Sequence, residues 1–198
     1  MFANRFTAVL DANVLARVAS RDLILSLAEA EFFRPRWTKD IMDETRRAIP
    51  KTLIKRAFDQ SEAETRADRA CKAMQAAFPE ADIPNYENLI EAIIGMPDPD
   101  DRHVLAAAIQ CKASIIVTDN LKDFPETVLG GYEIEAKSAD DFIADAIDLD
   151  PVHAVAAIAK MRKRLKNPVL TAEELLLRLD GRGLKQTASA LGGFVQLL

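Results

Sequence analysis

The chain has 198 residues, of which 49% are hydrophobic and 29% charged, with 7 Gly, 2 Cys and a formal net charge of −5. This balance excludes a disordered chain, a collagen-like repeat and a disulfide scaffold, because disorder needs low hydrophobicity and the other two need far more glycine or cysteine. No apolar run approaches the roughly 18 residues of a membrane span, and the first residues lack the apolar segment of a secretory signal. We therefore expect a cytoplasmic protein with no membrane partner.

Short apolar runs alternate with longer amphipathic segments along the first three quarters of the chain. The predicted strands are 6–10, 114–117 and 132–135, and the predicted helices are 20–33, 38–49, two within 51–78, 99–112 and 138–147. Strands separated by helices, without tight hairpin signals, are typical of βαβ units and a parallel sheet. The sequence therefore predicts an α/β fold.

The last quarter has a different charge and a different predicted structure. Residues 1–145 hold 18 Lys and Arg against 26 Asp and Glu, whereas residues 146–198 hold 8 against 5. Asp150-Pro151 lies at this change, and the residue before a proline is disfavoured in a helix. Helices are predicted after it, one of which begins with a capping box at Thr171 and Glu174. We expect two domains, 1–147 and a small all-helical extension, 148–198.

Acidic and polar residues directly follow two predicted strands. Asp11 ends the run FTAVL, and Thr118, Asp119 and Asn120 follow the run SIIV. Because the carboxyl ends of parallel strands lie at one edge of the sheet, these side chains are expected to come together. An isolated Asp11 would be better explained as a helix cap, a role that Asn13 could share.

Three more acids, Asp98, Asp100 and Asp101, begin the predicted helix 99–112. Acids here complement the helix dipole, but one would be enough for that purpose. Glu44 lies at the edge of the apolar face of helix 38–49, where a solvated pair with Arg47 is the simpler interpretation. Clustered carboxylates are the ligands that Mg²⁺ and Mn²⁺ prefer, and such ions activate water and neutralise phosphodiester charge. The two cysteines and two histidines show no zinc spacing, and no Ser/His/Asp or Cys/His nucleophile system is evident.

Four ordered blocks resemble a PIN domain of the kind found in VapC-type ribonuclease toxins. They are LDANVL at 10–15, Glu44, DPDDRHVLAAAI at 98–109 and IIVTDNLKDFP at 115–125, and the resemblance covers about residues 6–147. It implies an α/β fold, with a parallel sheet sandwiched by helices, and Mg²⁺- or Mn²⁺-dependent cleavage of RNA. The C-terminal helices resemble an extension of some larger VapC-like proteins.

The resemblance also implies roles for individual residues. The catalytic residues are Asp11, Glu44, Asp101 and Asp119; the metal ligands are Asp11, Asp101, Asp119, Asp100 and Asn120; the supporting residues are Asn13, Asp98, Thr118 and Asp123. Asn120 departs from an acidic pattern at the fourth position, since an amide adds no charge, and this leaves open whether one or two ions bind.

A basic cluster lies in the C-terminal extension. It consists of Lys160, Arg162, Lys163, Arg164 and Lys166. One interpretation is a solvated helix face, and the other is a surface that contacts RNA phosphates without reading sequence. Both remain open at this point.

We therefore predict a hydrolase that cleaves single-stranded RNA with metal-activated water, acting as the toxin of a toxin-antitoxin pair. The family resemblance implies an antitoxin protein partner and a homodimer. A catalytically weak or inactive PIN-like module that binds RNA or a protein is the alternative. A phosphoryl-accepting Asp11, as in haloacid-dehalogenase-like phosphatases or receiver domains, is disfavoured, because Asp11-x-Asn13 lacks a second acid and no suitable Lys follows a late strand.

Overall fold

The computed structural model describes residues 6–54, 58–166 and 168–198. The strands are β1 Thr7–Leu10, β2 Arg34–Arg36, β3 Ile115–Val117 and β4 Glu135–Lys137. The helices are α1 Ala12–Leu15, α2 Val18–Glu29, α3 Lys39–Ile54, α4 Gln60–Ala77, α5 Glu87–Ile90, α6 Arg102–Cys111, α7 Glu126–Leu129, α8 Ala139–Leu149, α9 Pro151–Arg164, α10 Ala172–Asp180 and α11 Lys185–Gly192. Of the two helices predicted within 51–78, one is present as α4, whereas residues 51–54 continue α3, the helix predicted at 38–49, beyond Pro50. Residues 55–57 lie outside the described residues.

The four strands form one parallel sheet in the order β2-β1-β3-β4. In the central pair, Val9 is aligned with Ile116 and Leu10 with Val117, so β1 and β3 end side by side. This arrangement confirms the predicted α/β fold and brings the residues after each strand to one edge.

One compact unit contains the sheet and comprises Phe6–Arg17 and Arg34–Lys137. Helix α6 packs on β1 and β3, and its residues Val104–Ala108 are completely buried, because small alanine side chains allow close approach to the strands. Helices α3 and α4 pack against each other, and α1 packs on α3. The side chain of Thr38 accepts a hydrogen bond from the Ile41 N–H at 3.1 Å and so caps the start of α3.

The other compact unit is helical and comprises Val18–Phe33 and Ser138–Leu198. Helix α2 packs on α8 and α9, and Phe33 meets Phe142 edge to face at 4.8 Å between ring centroids. The predicted capping box of Thr171 and Glu174 is present at the start of α10. This unit includes α2 from the first part of the chain and then all residues from Ser138 onward. The division into folding domains 1–147 and 148–198 remains a prediction.

Two sheet elements differ from the sequence prediction. The bounds of the strand predicted at 132–135 are wrong: Tyr132 ends a 3₁₀ turn and Glu133 has a left-handed backbone (φ 58°), so β4 begins only at Glu135. Strand β2 was missed, because Arg-Pro-Arg lacks an apolar pattern. Its proline is tolerated because β2 lies at the sheet edge, where one side needs no ladder hydrogen bonds. Within the described residues, none of the helices has the length and apolarity that crossing a membrane requires.

Candidate active site

Asp11 is the most buried acid of the predicted site, with 5% of its surface exposed. Its backbone N–H donates to the Val117 carbonyl at 3.0 Å, which ties the end of β1 to the end of β3. The Thr118 hydroxyl donates to its Oδ2 at 2.7 Å, and the Asn13 side-chain amide donates to the same oxygen. The register of β1 and β3 therefore fixes the position of this carboxylate.

Asn13 and Thr118 form a small network around Asp11. The Asn13 amide also donates to Thr118 Oγ1 at 2.9 Å, and its Oδ1 accepts from the Asp119 N–H at 3.0 Å. Thr118 Oγ1 accepts a further bond from the Asn120 N–H at 3.1 Å. Both residues thus use their side chains to hold the loop after β3 against the start of α1.

A second group of acids consists of Asp98, Asp101 and Asp123. One ligand atom from each lies within 4.8 Å of the others. Asp98 also caps the turn before α6, because it accepts from the Asp100 N–H at 2.9 Å. Like charges at this separation repel one another unless a proton or a cation lies among them.

Asp101 carries the clearest electrostatic signature of this group. Burial, together with the charges of Asp11, Asp98 and Asp123, raises the pKa of its carboxyl to about 6. Its Oδ2 is buried and has no hydrogen-bond partner among the described residues. A buried carboxylate oxygen without a donor is costly, so this atom marks a position suited to a cation.

Burial also raises the pKa of Asp11, although the hydrogen bond from Thr118 opposes the shift. The charge of Glu44 raises this pKa further, whereas that of His103 lowers it. The Asp11 carboxyl at the end of β1 therefore interacts with Thr118 after β3 and, electrostatically, with Glu44 of α3 and His103 of α6.

Glu44 contacts His103 of α6 as well as Arg47, the partner expected from its own helix. Its Oε1 lies 3.3 Å from His103 Nε2, compared with 4.0 Å from Arg47 Nη2. Burial disfavours the charged imidazole, but the hydrogen bond and charge of Glu44, with the charges of Asp40 and Asp11, outweigh it and raise the pKa of His103. The His103 Nδ1 atom is buried without a hydrogen-bond partner in the described part of the chain.

Two other predicted acids, Asp100 and Asp119, are not part of the three-acid group. Asp119 Oδ2 accepts from Arg17 at 2.7 Å, in a contact outside the three-acid group. Asp100 is exposed, and the Asn120 amide donates to Asp123 Oδ2. Asp123, predicted only as a supporting residue, is therefore the acid after β3 that joins Asp98 and Asp101.

In the helical unit, three members of the predicted basic cluster have partners within the chain. Arg164 contacts Glu29 through both terminal nitrogens, at 2.9 and 3.2 Å, and Lys160 lies 3.8 Å from the same carboxylate. Arg162 donates to the carbonyls of Leu170 and Leu198. Lys163 and Lys166 are exposed.

Sequence reasoning missed His103 and Arg17 as participants in the site. Both contacts join residues far apart in the chain, so no local spacing reveals them. The position of His103 two residues after Asp101 was the available signal, because it places the imidazole at the start of the same helix.

Comparison with known proteins identifies two family models that match the chain. A family model described as a PIN domain matches residues 7–122, more than half of the chain. The chain belongs to the PIN-domain family. A second model, described as the VapC50 C-terminal domain, matches residues 139–193.

Among curated proteins, the PIN-domain chain is similar to the "Putative ribonuclease VapC50" of Mycobacterium tuberculosis (strain ATCC 25618 / H37Rv), with 45% identity over 76 residues. The match covers 38% of this chain and 45% of that relative, so the chain spans less than half of the relative's length. No solved structure has significant similarity to the chain. These findings confirm the resemblance to VapC-like PIN proteins.

Proposed function

We propose that the protein is a metal-dependent endoribonuclease that hydrolyses phosphodiester bonds of single-stranded RNA. The observation that carries the proposal is the buried Asp101 Oδ2, which has no donor among the described residues and lies in a group of three carboxylates. The raised pKa of Asp101 supports the same conclusion, because excess negative charge there lacks compensation. Membership of the PIN family supports the reaction class.

The donor set fits a hard divalent cation. The available ligands are carboxylate oxygens, which suit Mg²⁺ or Mn²⁺, and no thiolate or imidazole competes in the three-acid group. We assign the ligands to Asp11, Asp98, Asp101 and Asp123, with Asp123 in place of the predicted Asp119. When bound, such an ion lowers the pKa of water and neutralises charge on the phosphodiester.

The chain's own residues orient the site. Thr118 and Asn13 hold the Asp11 carboxylate through hydrogen bonds to one oxygen. His103 lies 3.3 Å from one carboxylate oxygen of Glu44 and holds this residue on the α3 side, where we propose that the carboxylate accepts a hydrogen bond from the attacking water. Fixed orientation of this kind accelerates hydrolysis, because the reacting groups need no further ordering.

A toxin role extends this proposal. The likeness to the "Putative ribonuclease VapC50" and to the VapC50 C-terminal domain supports a toxin with a protein antitoxin as its partner. Homodimerisation and a cytoplasmic location are part of the same proposal.

The direct test is cleavage of end-labelled single-stranded RNA by purified protein with Mg²⁺, Mn²⁺ or EDTA. We expect cutting only with metal, products with 5′-phosphate and 3′-hydroxyl ends, and loss of cutting in D11N and D101N. D82N is the matched control, since Asp82 is an exposed aspartate of the same unit outside the site. Folded D11N and D101N that cut as fast as wild type would refute the assigned site.

A non-catalytic PIN-like module that binds RNA or a protein is the second candidate. The observation that favours it is the 2.7 Å contact between Arg17 and Asp119, together with Asn120 in the fourth position. Binding of several RNAs with no cutting in either metal would support this candidate.

A further inference from the structure

Arg17 forms an ion pair with Asp119 at the edge of the acid site. Its Nη1 donates to Asp119 Oδ2 at 2.7 Å, a distance typical of a charge-assisted hydrogen bond. The two residues lie 102 positions apart in the chain and belong to the compact unit that contains the sheet. The Asp119 side chain is 19% exposed and the Arg17 side chain 58% exposed. One end of the pair is therefore shielded from water, while the other can reach a ligand.

The main chain holds this pair next to Asp11. The Asp119 N–H donates to Asn13 Oδ1 at 3.0 Å, and the Asn13 amide donates to Asp11 Oδ2. On the other side, the Arg17 N–H donates to the Val14 carbonyl at 3.3 Å, which turns the chain directly after α1. Only two hydrogen bonds of one side chain thus separate the Asp119 backbone from the Asp11 carboxylate.

The ion pair leaves the loop after β3 with little charge for a second metal ion. In two-metal sites the ions lie about 3.5–4 Å apart, and each hard cation needs anionic oxygen ligands. Arg17 neutralises Asp119, and the uncharged Asn120 donates its side-chain amide to Asp123. This loop therefore offers Asp123 to a first ion but no uncompensated carboxylate to a second.

Two further acids near the site are poor ligands for a second ion. Glu44 Oε1 lies 3.3 Å from His103 Nε2 and 4.0 Å from Arg47 Nη2, so an ion would have to displace these contacts. Asp100 is exposed and outside the three-acid group. A single exposed carboxylate binds a divalent ion weakly, because affinity depends on the number of charged ligands.

We propose that the site holds one divalent ion and that Arg17 supplies the second positive charge, with its guanidinium contacting the RNA phosphate next to the ion. The proposal rests on the proposed function for the metal and the substrate. A guanidinium matches the geometry of phosphate oxygens, and a fixed arginine stabilises charge on a reacting phosphoryl group as a metal ion does. The contact between Arg17 and Asp119 is then compatible with an active nuclease.

Lys122 is another cation near the acids, and it is less well placed for this role. Its Nζ lies 4.0 Å from Asp123 Oδ2, and its side chain is 82% exposed. An ion pair this long and this exposed contributes little, so it does not fix the ammonium in one position. Asp119, in contrast, orients the Arg17 guanidinium at 2.7 Å.

The number of bound ions is the first test. The full chain, without RNA, is titrated with Mn²⁺, and electron paramagnetic resonance measures the free ion. We expect one ion per chain in wild type and also in D119N, because Asp119 is not a ligand. We expect two in R17M/N120D, since this variant releases Asp119 and places a second carboxylate beside it. Any count other than one in wild type, or a single ion in the folded double variant, would overturn the proposal.

The phosphate contact is the second test, and it is measured in EDTA, where bound metal does not contribute. A fluorescently labelled single-stranded RNA of mixed sequence is titrated with the full chain over a series of salt concentrations. Each phosphate contact contributes about 0.7 to the slope of log affinity against log salt for a single strand. We expect R17M to lower the slope by about 0.7, whereas R17K, which keeps the charge, should retain it.

R66M is the matched control for the second test. Arg66 is an exposed arginine of the same compact unit, and its ion pair with Glu62 has a similar length, 2.8 Å. Its loss should leave the slope unchanged, because α4 contributes no ligand to the acid site. No RNA binding by wild type, or equal slopes for wild type and folded R17M, would overturn the phosphate contact.

Cleavage is then measured separately with Mn²⁺. One bound ion and a lower slope in R17M, in a protein that never cuts RNA, would retain the role of Arg17 and refute the nuclease. Metal-dependent cutting by a wild type that binds two ions would retain the nuclease and refute the role of Arg17.

Discussion

His103 Nε2 lies 3.3 Å from Glu44 Oε1 and links the start of α6 to the middle of α3. The pKa values of Asp11 and His103 both respond to Glu44, so this pair belongs to the acid site electrostatically. An interaction of this kind fixes one rotamer of a carboxylate that would otherwise sample several.

We expect H103A to slow RNA cleavage by about tenfold, because loss of an outer hydrogen-bond partner typically costs 10- to 100-fold in activity at a metal site. H103Q should recover much of the loss, since the glutamine amide can donate from a position near that of Nε2. Cleavage rates at saturating Mn²⁺ measure the effect, electron paramagnetic resonance of Mn²⁺ checks that metal affinity is retained, and thermal unfolding checks the fold. Equal cleavage rates in H103A and wild type would contradict the positioning role.

Thr118 provides a second test of how Asp11 is held. T118V removes the hydroxyl that donates to Asp11 at 2.7 Å while keeping a similar volume. Loss of a hydrogen bond to a charged group costs about 1.5–3 kcal/mol, and the pKa of Asp11 should rise further, so Mn²⁺ affinity at neutral pH should fall about tenfold. T118S keeps the hydroxyl and should retain the affinity. If the serine and valine variants bind Mn²⁺ equally, the hydroxyl has no such role.

The raised pKa of Asp101 makes stability depend on pH in a defined direction. In the folded, metal-free protein this carboxyl titrates at about 6, whereas its ordinary value is 3.8. Because the folded state holds the proton more tightly, the contribution of Asp101 to stability falls as pH rises from about 4 to about 6 and is constant above that range.

We therefore expect D101N, measured in EDTA, to be more stable relative to wild type at pH 7 than at pH 4. Urea unfolding at a series of pH values gives the difference in free energy of unfolding. In wild type, Mn²⁺ affinity should increase as pH rises through 6, since the ion competes with the proton. A difference between the two proteins that does not vary with pH would contradict the assignment.

We expect Arg162 to contribute to the stability of the fold and not to RNA binding. It donates to the carbonyls of Leu170 and Leu198, so R162M leaves two acceptors without their donor. We expect a loss of about 2 kcal/mol in the free energy of unfolding, whereas K163M, at an exposed neighbour, should change it by less than about 0.5 kcal/mol. Chemical denaturation measures both, and an R162M protein as stable as K163M would show that these hydrogen bonds contribute nothing.

Much of the fold could be predicted from the sequence because the strands that support the site are strongly apolar. The runs around Val9 and Ile116 identify β1 and β3, and the rule for parallel strands then places Asp11 beside Thr118. Strand β2 could not be predicted in this way, since Arg34–Arg36 is held by pairing with β1 and not by a pattern of its own.

The site was predicted less completely, for a related reason. The acids could be found because they follow strands or begin a helix, but the choice among neighbours could not. Asp119 and Asp123 both follow β3 closely. The contact with Arg17 holds Asp119 away from Asp98 and Asp101, whereas the 3₁₀ turn 121–123 brings Asp123 close to them. The partnership of Glu44 and His103 joins residues 59 positions apart and has no local signature.

The helical unit draws α2 from the first fifth of the chain and α8 to α11 from its end. Leu23, Ile24 and Leu27 of α2 are completely buried, and the helices packed on α2 include α8 and α9. During synthesis, α2 therefore leaves the ribosome more than a hundred residues before α9 does. Until then its apolar face lacks the cover that α8 and α9 provide, so a nascent chain halted after the sheet presents a site for chaperones.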